Sequence, residues 1–170
     1  MNKYVIAITG TPGVGKTSTS RMLASKLDAE IIELGDLIEK KKLFMGIDEK
    51  RKTLIADIDK LSKVIGELIK KSNRHYILVV GHFAVDVLSP EIIHKVFVLR
   101  RHPEELKVTL ESRGYEDGKL WENIAAEILD VCLSEAVELC GVEKVCEIDV
   151  TGRRIEDIIC LLYTSPSPRD

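Results

Sequence analysis

Residues 10 to 17 read Gly10-Thr11-Pro12-Gly13-Val14-Gly15-Lys16-Thr17 and satisfy every fixed position of the pattern G-x-x-x-x-G-K-[ST]. An apolar run, Tyr4-Val5-Ile6-Ala7-Ile8-Thr9, comes before them, and a helix-like stretch from Thr17 to Leu27 follows. A strand, a glycine loop and a helix in that order form a phosphate-binding unit. The loop turns its backbone N–H groups inward onto an anion, and the helix behind it aims its positive end at the same place. In such a loop Lys16 reaches the β- and γ-phosphates, and the Thr17 hydroxyl joins the shell of Mg²⁺. The pattern therefore implies binding of a nucleoside triphosphate, with ATP and Mg²⁺ as the expected ligands.

The rest of the chain repeats the alternation of strand and helix. Continuous apolar runs at Tyr4–Thr9, Glu30–Glu33, Tyr76–Val80, Val96–Leu99 and Val145–Ile148 suit strands covered on both faces. Helical spacing separates them at Ser18–Leu27, Gly35–Lys42, Lys60–Lys71, Pro103–Ser112 and Trp121–Cys140, with a last helix from Arg154. Pro103 sits in a first turn, where proline is tolerated, with Glu104 and Glu105 behind it. The expected fold is α/β: a three-layer P-loop NTPase fold, its five-stranded parallel sheet flanked by helices. A length of 170 residues suits one domain, expected over residues 1–159. Residues 160–170 carry two of the five prolines and are expected to be an irregular tail. That segment also resembles translated sequencing-adapter read-through, so it enters no functional argument.

A net charge of −3 gives no broad basic surface for nucleic acid. The four cysteines show neither a C-x-x-C pair nor zinc spacing, which suits free thiols in a reducing compartment. No stretch approaches the roughly 20 apolar residues of a membrane span. With the loop beginning at position 10, no signal peptide is expected. The expected location is cytoplasmic, or nuclear for a eukaryotic source.

A phosphate loop alone leaves GTPases, motor-like ATPases and small-molecule or nucleotide kinases open. No N-K-x-D base-reading motif is present, and the insertions of oligomeric ATPases do not fit this length. Arg100 and Arg101 end a strand at the carboxyl edge of the expected sheet, where α/β proteins bind ligands. Arg113 opens a charged, glycine-containing segment, Arg113-Gly114-Tyr115-Glu116-Asp117-Gly118-Lys119, that reads as a lid carrying a cation over the phosphates. Asp57 and Asp59 stand just before a helix and read either as nucleotide-site carboxylates or as helix-capping charges; capping is favoured for Asp59, and both readings stay open for Asp57.

The order Gly10–Thr17, Gly35-Asp36-Leu37, Asp57-Ile58-Asp59, Gly81-His82, Val96-Phe97-Val98-Leu99-Arg100, Arg113-Gly114-Tyr115, Lys119, Glu122-Asn123-Ile124 and Glu127 resembles the adenylate kinase isoenzyme six family. The likeness covers roughly residues 3 to 158 and is most specific over Arg113–Glu135. It implies ATP on Gly13, Val14, Gly15, Lys16, Thr17 and Ser18. It places a monophosphate site over about residues 33–55, beginning at Gly35 and Asp36, and a lid over about 112–122. Arg113 would then be the lid arginine on ATP, and the turn with Arg153 would border the adenine. His82 would match a histidine tied to phosphate hydrolysis and nucleotide handling. The implied activity is Mg²⁺-dependent phosphoryl transfer from ATP to AMP or a related monophosphate. Lys16, Arg113 and His82 would serve as catalytic residues, Arg100 as a further cation on the substrate, and Thr17 as the metal ligand. Members of the family also assist maturation of the small ribosomal subunit, which implies a ribosomal protein partner; an ATPase-type assembly factor is the alternative activity. A kinase for a small metabolite is disfavoured by Arg113–Glu135. One position departs from the pattern. Where the family carries an acidic residue before the Gly-His pair, this chain has Val80, so the metal must look to Asp36, Asp57, Asp86, phosphates or water for support.

Overall fold

The computed structural model describes residues 2–164, with the side chains of 163 and 164 excepted. In chain order the elements are β1 (Tyr4–Thr9), α1 (Lys16–Leu27), β2 (Glu30–Glu33), α2 (Leu34–Lys41), β3 (Phe44–Asp48), β4 (Thr53–Ala56), α3 (Ile58–Lys71), β5 (Tyr76–Val80), α4 (Ala84–Val87), β6 (Ile93–Arg100), α5 (Pro103–Ser112), α6 (Asp117–Ile128), α7 (Val131–Cys140), β7 (Val145–Asp149) and α8 (Ile155–Thr164). Five strands form one parallel sheet in the order β2-β5-β1-β6-β7, with β1 at its centre.

Each central strand divides its side chains between two apolar layers, which is why these strands read as unbroken apolar runs. Val5, Ala7, Ile77, Val79, Val96 and Val98 join Leu61, Ile65 and Ile69 of α3 and Ala136 of α7 on one face. Ile6, Ile8, Leu78, Val80, Phe97 and Leu99 join Leu23 of α1, Leu106 and Leu110 of α5, Ile124 of α6 and Ile159 of α8 on the other. The three-layer expectation therefore holds.

Three details differ from the sequence reading. The helix expected over Trp121–Cys140 is two helices, broken at Leu129 and Asp130, where Asp130 turns left-handed at φ 56°. The break is needed because α6 packs Leu120 and Ile124 on one face of the sheet while α7 packs Leu133 and Ala136 on the other. Second, residues expected as loop form the antiparallel hairpin β3–β4, with Ile47 opposite Leu54. Its side chains Met45 and Ile47 are exposed, so no buried face announces it. Third, α8 runs to Thr164, so residues 160–164 are helical where an irregular tail is expected; the remainder of that tail lies outside the described residues. Asp57 is the N-cap of α3, its carboxylate accepting the Lys60 N–H at 3.2 Å, and Asp59 stands in the first turn. No described helix is long and apolar enough to cross a membrane.

Candidate active site

The phosphate loop leaves β1 at the carboxyl edge of the sheet and enters α1. Gly10, at φ 146°, lies against β6; a Cβ there would stand 2.6 Å from the Leu99 carbonyl oxygen. Gly13, at φ 94°, lies as tightly on Leu106 and Leu110 of α5. Both contacts hold the loop against the sheet and leave its inner side open. Gly15 is left-handed and no side chain caps the first N–H groups of α1, so these donors face the space where an anion belongs. Lys16 folds over the loop, donating to the carbonyls of Gly10 at 2.6 Å and Thr11 at 3.1 Å.

A cavity of about 280 Å³ opens in front of the loop. Pro12, Gly13, Gly15, Lys16, Thr17 and Ser18 form its floor, Glu33, Gly35 and Asp36 one wall, and Val80, Gly81, His82, Arg113 and Tyr115 the rest. Four segments far apart in sequence thus meet at one place. Val14 is different: its side chain is buried in the core, and only its backbone is at the loop. Among the described residues Arg113 has no ion-pair partner, so its cation is available to the cavity. Tyr115 beside it carries the Lys119 ammonium over its ring at 4.5 Å.

A second cavity of about 420 Å³ shares Pro12, His82 and Tyr115 with the first. Ile38, Leu54, Ala56, Ile58 and Phe83 give it apolar and aromatic walls, and Asn123, Lys119 and Arg51 give it a polar rim. Arg51, in the β3–β4 turn, reaches Glu122 of α6 at 3.2 Å and so links the hairpin to the segment after Arg113. The hairpin missed from the sequence is thus a wall of this cavity.

Two expected residues stand elsewhere. Arg100 does not line the cavity. Its guanidinium pairs with Glu127 at 2.6 Å, Asp130 at 2.5 Å and Glu147 at 3.2 Å, and donates to the Glu127 carbonyl at 2.8 Å, satisfying the end of α6. Four of its five N–H groups are so engaged and none faces the cavity, which stands against the substrate role expected for Arg100 and gives it a structural one here. Because Glu127 is only 3% exposed, Arg100→Ala strands a buried charge. The expected cost is about 3 kcal/mol of unfolding free energy, read by urea denaturation. Arg153 is exposed in the turn after Val150 and lies outside the cavity. That turn is still tied to the loop: Arg101 donates to the Gly13 carbonyl at 3.0 Å and pairs with Glu105, which accepts the Gly152 N–H at 3.4 Å.

The electrostatics are set first by burial and then by neighbouring cations. Burial pushes the Lys16 ammonium down from 10.5 to about 8, and the Arg113 charge pushes the same way. The protein around His82, and then Lys16, push its imidazole down to about 4, so it is neutral at pH 7. The residue is exposed on its outer side, where water screens it, so the shift counts for less in free energy than in a sealed site.

Two neighbours were missed by sequence reasoning. Cys132 of α7 brings its sulfur to 4.0 Å from the His82 carbonyl, and burial pushes its thiol up, which keeps it uncharged. Glu33 accepts the Thr17 hydroxyl at 2.5 Å. No local signal could have joined residues 17 and 33, which meet only through the strand order.

Known proteins resemble this chain in fold and in sequence. A family model described as AAA domain matches residues 6–130. A protein of Methanocaldococcus jannaschii named "Putative adenylate kinase" is 44% identical, over 91% of this chain and 81% of its own length. Its namesake in Methanothermobacter thermautotrophicus is 43% identical, over 91% of this chain and 86% of its own. Among solved structures, a shikimate kinase from Acinetobacter baumannii in complex with shikimate aligns with a TM-score of 0.67 at 17% identity, covering 96% of this chain and 94% of the other. A thymidylate kinase from Candida albicans aligns at 0.58 and 16%, covering 95% and 90%. At those identities the two structures speak for the fold. The curated relatives, matched along nearly the whole chain, speak for descent, and the chain belongs to the adenylate kinase-like family of P-loop proteins.

Proposed function

We propose that the protein transfers the γ-phosphoryl group of Mg·ATP to AMP, giving two ADP. The observation that carries this reading is the meeting of Lys16, Thr17, His82 and Arg113 on one cavity that shares a wall with a second, aromatic-lined one. ATP phosphates would rest on the loop amides from Gly13 to Ser18, with Val14 contributing only backbone. Arg153 and its turn would lie at the adenine side. AMP would enter the second cavity, with Gly35 and Asp36 at its border. The hard oxygen donors of Thr17 and the nearby carboxylates suit Mg²⁺, which keeps several waters and needs few protein ligands. When bound, the ion neutralises charge on the β- and γ-oxygens.

Transfer needs little covalent chemistry from the chain. A phosphate oxygen of AMP attacks the γ-phosphorus, a new P–O bond forms, and the bond to the β,γ-bridging oxygen breaks. Lys16 and Arg113 stabilise the charge on the migrating group, and no general base is required because the attacking oxygen is already anionic. His82, neutral, serves as a hydrogen-bond partner for water or phosphate at the junction of the two cavities. The segment over about 112–122 closes the site against water.

Phosphate bound beside Lys16 raises its pKa again, so binding takes up a proton wherever the empty protein has lost one. ATP affinity is therefore expected to be flat below pH about 8 and to fall by up to about tenfold per pH unit above it. Calorimetric titration across that range reads it.

The proposal extends to small ribosomal subunit maturation with a ribosomal protein partner, supported by the family likeness over Arg113–Glu135. Val80, where an acid is usual, favours a slow ATPase-type assembly factor as the second reading. Incubation with Mg·ATP, with and without each monophosphate, separates them. AMP-dependent ADP formation supports the kinase. Phosphate release indifferent to AMP supports the second reading.

A further inference from the structure

Glu33 is the last residue of β2 and stands directly across the parallel ladder from Val80, the last residue of β5. Paired positions of neighbouring parallel strands project from the same face of a sheet, and the strands lie about 4.8 Å apart. Val80 is 1% exposed and packs in the apolar layer, so it offers nothing to a cation. Glu33, one strand further out, accepts the hydroxyl proton of Thr17 at 2.5 Å. A threonine that gives its only proton to a carboxylate keeps its lone pairs free for another acceptor of electrons. That is the arrangement a hydroxyl needs when it ligates a cation while a carboxylate holds it in orientation.

We infer that Glu33 is the carboxylate of the divalent-cation shell, paired with Thr17. This rests on the reading of the cavity as a Mg·ATP site. Asp36 lines the same cavity, but it sits in the first turn of α2, and among the described residues Glu33, not Asp36, takes the Thr17 hydroxyl. Asp57 is occupied in capping α3, and Asp86 is absent from the cavity walls.

Mn²⁺ is a suitable probe because its paramagnetism reports binding independently of turnover. The protein is saturated with a non-hydrolysable ATP analogue, whose affinity is first measured without metal. Mn²⁺ is then titrated and followed by electron paramagnetic resonance. Glu33→Gln should leave metal-free analogue binding intact or tighter, since a negative charge near the phosphates is gone. It should weaken Mn²⁺ binding to the loaded protein by about 10- to 100-fold. Glu33→Asp, which keeps the charge on a shorter arm, should recover part of that loss, and it provides a second test should the glutamine variant fold poorly. Asp86→Asn, at a carboxylate outside the cavity walls, should bind Mn²⁺ as the unaltered protein does. Unchanged Mn²⁺ affinity in the Glu33 variants overturns the assignment and reduces the Thr17 contact to a tether of the loop. Failure of the unaltered protein to bind the analogue at all removes the nucleotide reading itself, and the assignment with it.

Discussion

Lys16→Ala is expected to lower the rate of ADP formation from Mg·ATP and AMP by about 10³-fold or more, with a modest effect on folding. The ammonium stands at the loop within the crowded cavity, where a fixed charge is worth far more than in water. Its two bonds to the carbonyls of the buried Gly10 and Thr11 would be lost, at a cost of about 1–2 kcal/mol, short of unfolding the domain. Quenched-flow or coupled measurement of turnover, beside a thermal melt of the same variant, separates the two effects. A melt close to that of the unaltered protein with turnover lost is the expected pair of results. Retained turnover in a folded variant would remove Lys16 from the chemistry.

Arg113→Ala is expected to produce a loss of about 10³-fold in kcat, at the lower end of what a charge-stabilising arginine contributes to phosphoryl transfer. Unlike Arg100, Arg113 is exposed and has no ion-pair partner among the described residues, so its removal leaves no buried carboxylate stranded. Stability should therefore stay within about 0.5 kcal/mol of the original. Arg113→Lys should recover little, because an ammonium lacks the planar fork that meets two phosphate oxygens at once. A KM for ATP that rises while kcat holds would instead mark Arg113 as a binding residue only. Together with the Arg100 variant this gives a double dissociation: one arginine acts on stability, the other on rate.

These two arginines also show where sequence reading works and where it stops. The strands were legible because burial on both faces forces an unbroken apolar run, as in Ile77-Leu78-Val79-Val80. The phosphate loop was legible because its spacing is itself the geometry. Arg100 misled because a cation at a strand's carboxyl end looks the same whether it meets a ligand or carboxylates 27, 30 and 47 residues away. The end of α6 at Leu129 depends on that same guanidinium and on the chain crossing from one face of the sheet to the other, neither of which leaves a local mark. The hairpin β3–β4 stayed hidden because Met45 and Ile47 point to solvent and lysines surround them. Glu33 was read as the start of the monophosphate region; only the pairing of β2 with β5 brings it to Thr17.

The central claim is that two nucleotides exchange a phosphoryl group across these two adjoining cavities, and the reaction run backwards tests it most directly. Mg·ADP is supplied alone and the products are followed by phosphorus NMR. The account predicts ATP and AMP appearing in equal amounts, with no inorganic phosphate in the early phase and a rate lowered by about 10³-fold or more in Lys16→Ala. Release of inorganic phosphate without ATP, or ADP left unchanged by a folded, nucleotide-binding protein, would contradict it.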